Sequence, residues 1–201
     1  MSFRWDMRDK TPQQQAIVAA KDRNSTVVRN NSNVNLAPAV LIHSVSIFMK
    51  LGWESTGNFD GFKTLEEYQK CITGQGATWF STNALVSGMA KKQQEEFMTA
   101  INNGKRVYIY FVIGKSGGGT NKIEFRAEVM DLKSVKGGIR TPDVSMTPEL
   151  WINEKSTIWI KISNLHKCNV KKVEGFQFIS NGKNLSEALH SNCCFGYITE
   201  I

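Results

Sequence analysis

The chain has 201 residues, 41% hydrophobic and 21% charged, which suits one core-forming domain with extensions and excludes wholesale disorder. Lys and Arg number 25 against 18 acids, a net charge of +7, of which +5 falls after residue 100, so the C-terminal part is expected to face a polyanion. Three His, four Cys and no Cys-x-x-Cys spell out no metal site or cofactor, no apolar run is long enough to cross a membrane, and the opening MSFRWDMRDK is too charged for a signal peptide, so a cytoplasmic protein without a membrane partner is predicted.

Residues 1–35, rich in Gln, Asn, Ser and Arg, read as an arm with one short helix over Thr11 to Lys21. The apolar stretch Ala37 to Leu51 fits a buried helix or a strand pair, and Gly52 to Gly61 is polar and turn-rich. We therefore divide the chain into an extension over residues 1–60 and a domain over 61–201. Thr64 with Glu67 has capping-box spacing and predicts a helix that stops at Gly74-Gln75-Gly76. A short strand centred on Trp79 leads into a helix with Lys91, Lys92, Glu95 and Glu96 on its wet side and Met89, Phe97, Met98 and Ile101 on its dry side, ended by Asn102-Asn103-Gly104.

Arg106 to Ile113, RVYIYFVI, is the strongest strand and too continuously β-branched and aromatic to be exposed on both faces. A turn at Gly117 to Gly119 sends it back into an alternating strand over Ile123 to Leu132, followed by a loop over residues 133–150. Further strands are predicted at Ser156 to Ile162 and Gly175 to Ser180, with a short helix from Leu185 to His190. Cys193 and Cys194 read as small hydrophobes at a strand end, a strained vicinal disulfide being the alternative. The whole is an α+β fold, a curled β-sheet or barrel flanked by helices.

Catalytic motifs are not spelled out. Gly114-Lys115-Ser116 mimics a P-loop, but its first glycine position is Ile109 inside a strand, and a strand, not a helix, follows the turn. There is no Gly-x-Ser-x-Gly. The expectation is a protein that is not an enzyme. Tryptophans carry more information: Trp159 lies in the strand STIWIKI and reads as core, whereas Trp79 stands at an element boundary and Trp151 in a loop, positions suited to stacking on a base.

The succession TWFSTN, an amphipathic helix, GKRVYIYFVIGKSGGG, IEFRAEVMDLKS, a loop, and two tryptophans eight residues apart ending in WIKISNL resembles the YTH domain. That resemblance covers roughly residues 64 to 201. It implies kinship with EVE domains in the PUA-like superfamily, and a module that reads a modified base flipped into a tryptophan-lined pocket, with N6-methyladenine in RNA favoured. It assigns the pocket to Trp79, Phe80, Ser81, Thr82 and Trp151, with Met146 in place of the family's third cage aromatic. The family's first strand is not evident, Val40 to Phe48 with an insertion being one candidate for it, and the chain departs from the family in the C-terminal Arg-Asp element, here His190-Ser191-Asn192. Partners so implied are RNA or single-stranded or modified DNA, with an effector protein in a restriction or defence system as one setting. A PUA-like protein-interaction domain with a vestigial pocket is the reading of a different class. Candidates for phosphate contacts are Lys91, Lys92, Lys105, Lys115, Arg126 and Arg140, with Lys133 and Lys136 beside them.

Overall fold

A computed structural model describes residues 41–189 and 193–201. The arm with its helix, and His190-Ser191-Asn192, lie outside the described residues. Ten elements follow in chain order: β1 (Ser46–Leu51), α1 (Gly61–Gln75), β2 (Thr78–Thr82), α2 (Lys91–Asn102), β3 (Val107–Ile113), β4 (Ile123–Ile139), β5 (Ser156–Lys171), β6 (Phe176–Phe178), α3 (Leu185–Ala188) and β7 (Phe195–Glu200).

The strands form one sheet in the order β2-β5-β4-β3-β1-β7-β6. It is mixed: β1 runs parallel to β3, with Ile47 opposite Ile109, and every other pair is antiparallel. The α+β expectation holds, but β2 and β6 remain edges, so the sheet is not closed into a barrel.

The centre of the sheet is buried on both faces. Ile109, Phe111 and Ile113 of β3 join Leu65 and Tyr68 of α1 and Phe97 of α2 in one apolar cluster, while Tyr108, Tyr110 and Val112 meet Phe48, Phe176 and Ile198 in a second. That is why RVYIYFVI shows no polar alternation: each face of β3 has its own cover. The same holds for β1, whose Ile47 and Phe48 are both fully buried on opposite faces. The expected domain start at residue 61 is thereby corrected, because β1 is an interior strand between β3 and β7 and the domain extends back to it.

Local signals needed two further corrections. Asp60, not Thr64, caps α1, its side chain accepting from the Lys63 N–H at 2.8 Å, so the helix starts one turn earlier and Thr64 falls inside it. Gly76 ends it as expected, in the left-handed conformation with its N–H on the Ile72 carbonyl. The loop expected after Leu132 is strand as far as Ile139, which pairs with Ser156 beyond Gly137 and Gly138, both at positive φ. No disulfide joins any of the four cysteines, and Cys193 and Cys194 stand half-buried just ahead of β7. Among the described residues, no helix is long and apolar enough to cross a membrane, and no three His, Cys, Asp or Glu side chains converge as metal ligands.

Candidate functional site

The curl of the sheet creates the site. Three strands separate β2 from β1 in the sheet order, yet the Thr82 hydroxyl reaches the Met49 sulfur at 3.9 Å. Between these strand ends lies a cavity of about 320 Å³. Its floor and walls come from the end of β1 (Met49 to Leu51), α1 (Thr64, Tyr68), β2 (Phe80 to Thr82), Trp151 and Glu154, with Trp53 from the β1–α1 loop on its lining as well. The volume lies at the lower end of the range of small-molecule sites, roughly 300–1,000 Å³.

Aromatic packing builds the wall. Trp151, in a 3₁₀ turn over Glu149–Trp151, stacks on Tyr68 with centroids 4.6 Å apart and planes 13° from parallel. Tyr68 tilts onto Phe80 at 5.1 Å, and Phe80 meets the edge of Phe111 at 5.3 Å, tying the wall to the core. Trp151 and Tyr68 are buried, whereas Trp53 is 57% exposed and offers an indole at the rim.

A polar chain runs beside the rings. The Ser81 N–H donates to the Tyr68 hydroxyl at 3.3 Å, the two hydroxyls lie 3.3 Å apart, and Ser81 Oγ donates to Glu154 Oε2 at 2.9 Å. Burial is the largest influence on the Tyr68 phenol and pushes it well above its ordinary range, against the opposing effect of Ser81, so it stays neutral. The Glu54 carboxylate accepts from the N–H groups of Thr56 and Asn58 at 2.8 and 2.9 Å. Slight burial acts to raise it, but these bonds and the Thr56 hydroxyl hold it below the usual carboxylate range, so it remains ionised. Lys50 Nζ donates to the Leu189 carbonyl at 3.0 Å. The Thr64 hydroxyl is buried without a hydrogen-bond partner among the described residues, at a cost of roughly 1–3 kcal/mol for such a group.

The structure brings together Phe80, Ser81, Thr82 and Trp151 of the expected pocket, and not Trp79 or Met146. Strand alternation is the reason for Trp79: its neighbour Phe80 faces the core, so Trp79 points the other way, opposite Lys161 in register and 4% exposed, with the Lys161 ammonium 6.0 Å from its ring. Met146 is half-buried at the edge of β2, where its carbonyl accepts from Thr78 Oγ1 at 3.1 Å. Trp53, Tyr68, Thr64 and Glu154 were missed. Only Trp53 carried a sequence signal, as a tryptophan in a polar, turn-rich segment, comparable to the loop position of Trp151.

The basic candidates are dispersed. Lys91 pairs with Glu95 at 3.6 Å, and Lys92 borders a groove with Glu95 and Glu96, so the exposed face of α2 is balanced in charge. Arg126 is occupied: its guanidinium lies 4.7 Å from the Tyr108 ring and its Nε donates to His166 Nε2 at 3.0 Å. Lys133 lies 3.5 Å from Asp131. Lys105, Lys136 and Arg140 are exposed. Lys115, also exposed, belongs to the β3–β4 turn, whose Gly117 packs directly on the backbone of Gly52 at the cavity lining. A larger groove of about 910 Å³, bordered by Thr120, Lys122, Val173 and Ser186, has no aromatic ring among the described residues of its lining. In comparisons with known proteins, no family model matches the chain, and neither a curated protein nor a solved structure is similar to it.

Proposed function

We propose that the chain is a non-enzymatic nucleic-acid-binding module that turns a methylated base into the cavity between the ends of β1 and β2. The observation that carries this reading is the aromatic wall of Trp151, Tyr68 and Phe80, with a second indole, Trp53, on the lining of the same cavity. Extruding a base costs a few kcal/mol. Stacking on an aromatic side chain contributes roughly 1–3 kcal/mol per base, so two indoles can offset that cost. The +7 chain attracts phosphates independently of sequence.

The resemblance to YTH and EVE domains agrees with this reading in one respect that the residues alone left open. An apolar strand, β1, runs through Phe48-Met49-Lys50 into the turn ahead of the first helix, as the first strand does in that family. We read the curled sheet as a PUA-like variant, with N6-methyladenine in RNA as the first ligand to test and modified DNA as the second. The test is titration of the full chain with matched RNA and DNA oligomers, each with and without one N6-methyladenine. Preference for a methylated strand supports base reading. Equal affinity for all four oligomers overturns N6-methyladenine as the ligand, and no binding of any overturns nucleic acid as the partner.

A further inference from the structure

The electrostatics of the cavity oppose those of the chain. The protein carries +7, yet the charged side chains on the cavity lining are two glutamates, Glu54 and Glu154, and one lysine, Lys50. The Lys50 ammonium is held by the Leu189 carbonyl, and Glu54 is satisfied within its own loop. Glu154 differs. Its Oε2 accepts from Ser81, while Oε1 has no hydrogen-bond partner among the described residues. A carboxylate only accepts hydrogen bonds, so a ligand group that meets Oε1 must be an N–H or O–H donor or carry a positive charge.

A second, independent observation points to an occupant. Thr64 lines the same cavity, is 8% exposed, and keeps its hydroxyl buried and unpartnered. Thr73, two turns on in the same helix, returns its hydroxyl to the Gln69 carbonyl at 2.9 Å, a bond within one helix that Thr64 does not make. Buried polar atoms are ordinarily satisfied, so this hydroxyl calls for a polar partner that the described residues do not supply.

We infer that the base drawn into the cavity is a cationic methylated purine with a donor edge, of which 7-methylguanine is the representative; this deepens the base-reading function above and rests on it. Methylation at N7 gives the guanine ring a positive charge, which indole faces attract. The N1–H and exocyclic N–H of guanine point along one edge and match a carboxylate such as Glu154. N6-methyladenine offers that carboxylate one N–H next to an acceptor nitrogen, a poorer match. The charge distribution agrees, because a cationic ring meets a net negative lining within a chain of net charge +7.

Titration of the full chain with 7-methylguanosine 5′-monophosphate and guanosine 5′-monophosphate tests the inference, alongside the N6-methyladenine oligomers and a trimethyl-lysine peptide. We expect the methylated guanine nucleotide to bind about tenfold tighter than the plain one. Glu154→Gln, which retains an oxygen for Ser81, should cut that preference to within about threefold without lowering the melting temperature. Thr64→Val should weaken the nucleotide about fivefold while melting no lower than the parent, and Thr64→Ser should retain affinity. Equal affinity for the two guanine nucleotides, with preference for N6-methyladenine strands intact, overturns this inference and leaves base reading standing. Failure of every nucleotide and oligomer overturns both, as does binding of the trimethyl-lysine peptide alone.

Discussion

Trp53 and Trp159 show how one residue type takes opposite roles. Trp159 is fully buried, and its Nε1–H donates to the Ile139 carbonyl at 2.9 Å, so the indole ties β5 to the far end of β4. Its truncation to alanine should cost about 3–5 kcal/mol of stability. Trp79, 4% exposed on β2, should behave in the same way and not as a cage residue. Trp53 is 57% exposed, and Trp53→Ala should leave stability within about 0.5 kcal/mol of the parent. The same change should weaken ligand binding by about 1–3 kcal/mol if the rim indole stacks on the base. Urea melts run beside oligomer titrations separate the three variants. A Trp53→Ala protein that binds as well as the parent would remove Trp53 from the site.

At the scale of elements, the cavity depends on where α1 begins. Asp60 caps the helix, and Thr64 and Tyr68 follow one and two turns later, both on the cavity wall. Asp60→Ala should cost about 0.5–2 kcal/mol of stability and also loosen ligand binding, because fraying of the first turn displaces Thr64. Chemical denaturation with parallel titration checks this, and Asp60→Asn, which retains the cap, should restore both. The β3–β4 turn is equally constrained. A Cβ on Gly119 would lie 2.3 Å from the Ile113 carbonyl oxygen, and one on Gly117 would lie 2.8 Å from the Gly52 Cα. Neither contact is one that a flexible side chain can yield. Gly119→Ala should therefore destabilise more than Asp60→Ala in the same measurement.

For the whole molecule, charge placement decides both salt and pH behaviour. Each phosphate contact adds roughly 0.7 to the slope of log affinity against log salt for single strands. Lys115 is exposed in the turn that packs against Gly52, whereas Lys91 is balanced by Glu95. Lys115→Glu should reduce the salt slope by about one such contact, and Lys91→Glu should leave it nearly unchanged. Binding isotherms at several salt concentrations give both slopes, and a salt-independent affinity would count against a nucleic-acid partner. The pH dependence follows from His43. Burial holds its pKa below the ordinary value, Glu96 at 3.8 Å partly opposes this, and Lys105 adds to it. The folded state is then the poorer proton acceptor, so the stability His43 contributes is present above the unfolded histidine pKa of about 6.5 and is lost as pH falls from there toward the folded value. Melting temperatures should drop on acidification through that window, and less so in His43→Gln.

The sequence by itself determined the local elements whose pattern repeats within one segment. RVYIYFVI read as a strand that is not exposed on both faces, the spacing of Phe97, Met98 and Ile101 against Lys91, Lys92, Glu95 and Glu96 set the faces of α2, and Gly76 stopped α1. Trp159 was readable as core because its neighbours in STIWIKI are apolar on both sides. Only the tertiary structure decided what those patterns leave degenerate. A six-residue, mostly apolar segment such as SIFMKL has no resolvable period, and its identity as a central strand came from pairing with β3 on one side and β7 on the other. Side-chain facing along β2 needed the register with β5, and a shift of one residue exchanges Trp79 for Phe80 in the cavity. Glu154, Thr64 and Trp53 meet around one space because the sheet curls until the ends of β1 and β2 approach. That curvature arises from strand twist summed over the sheet, a property of the assembled strands and of no single segment.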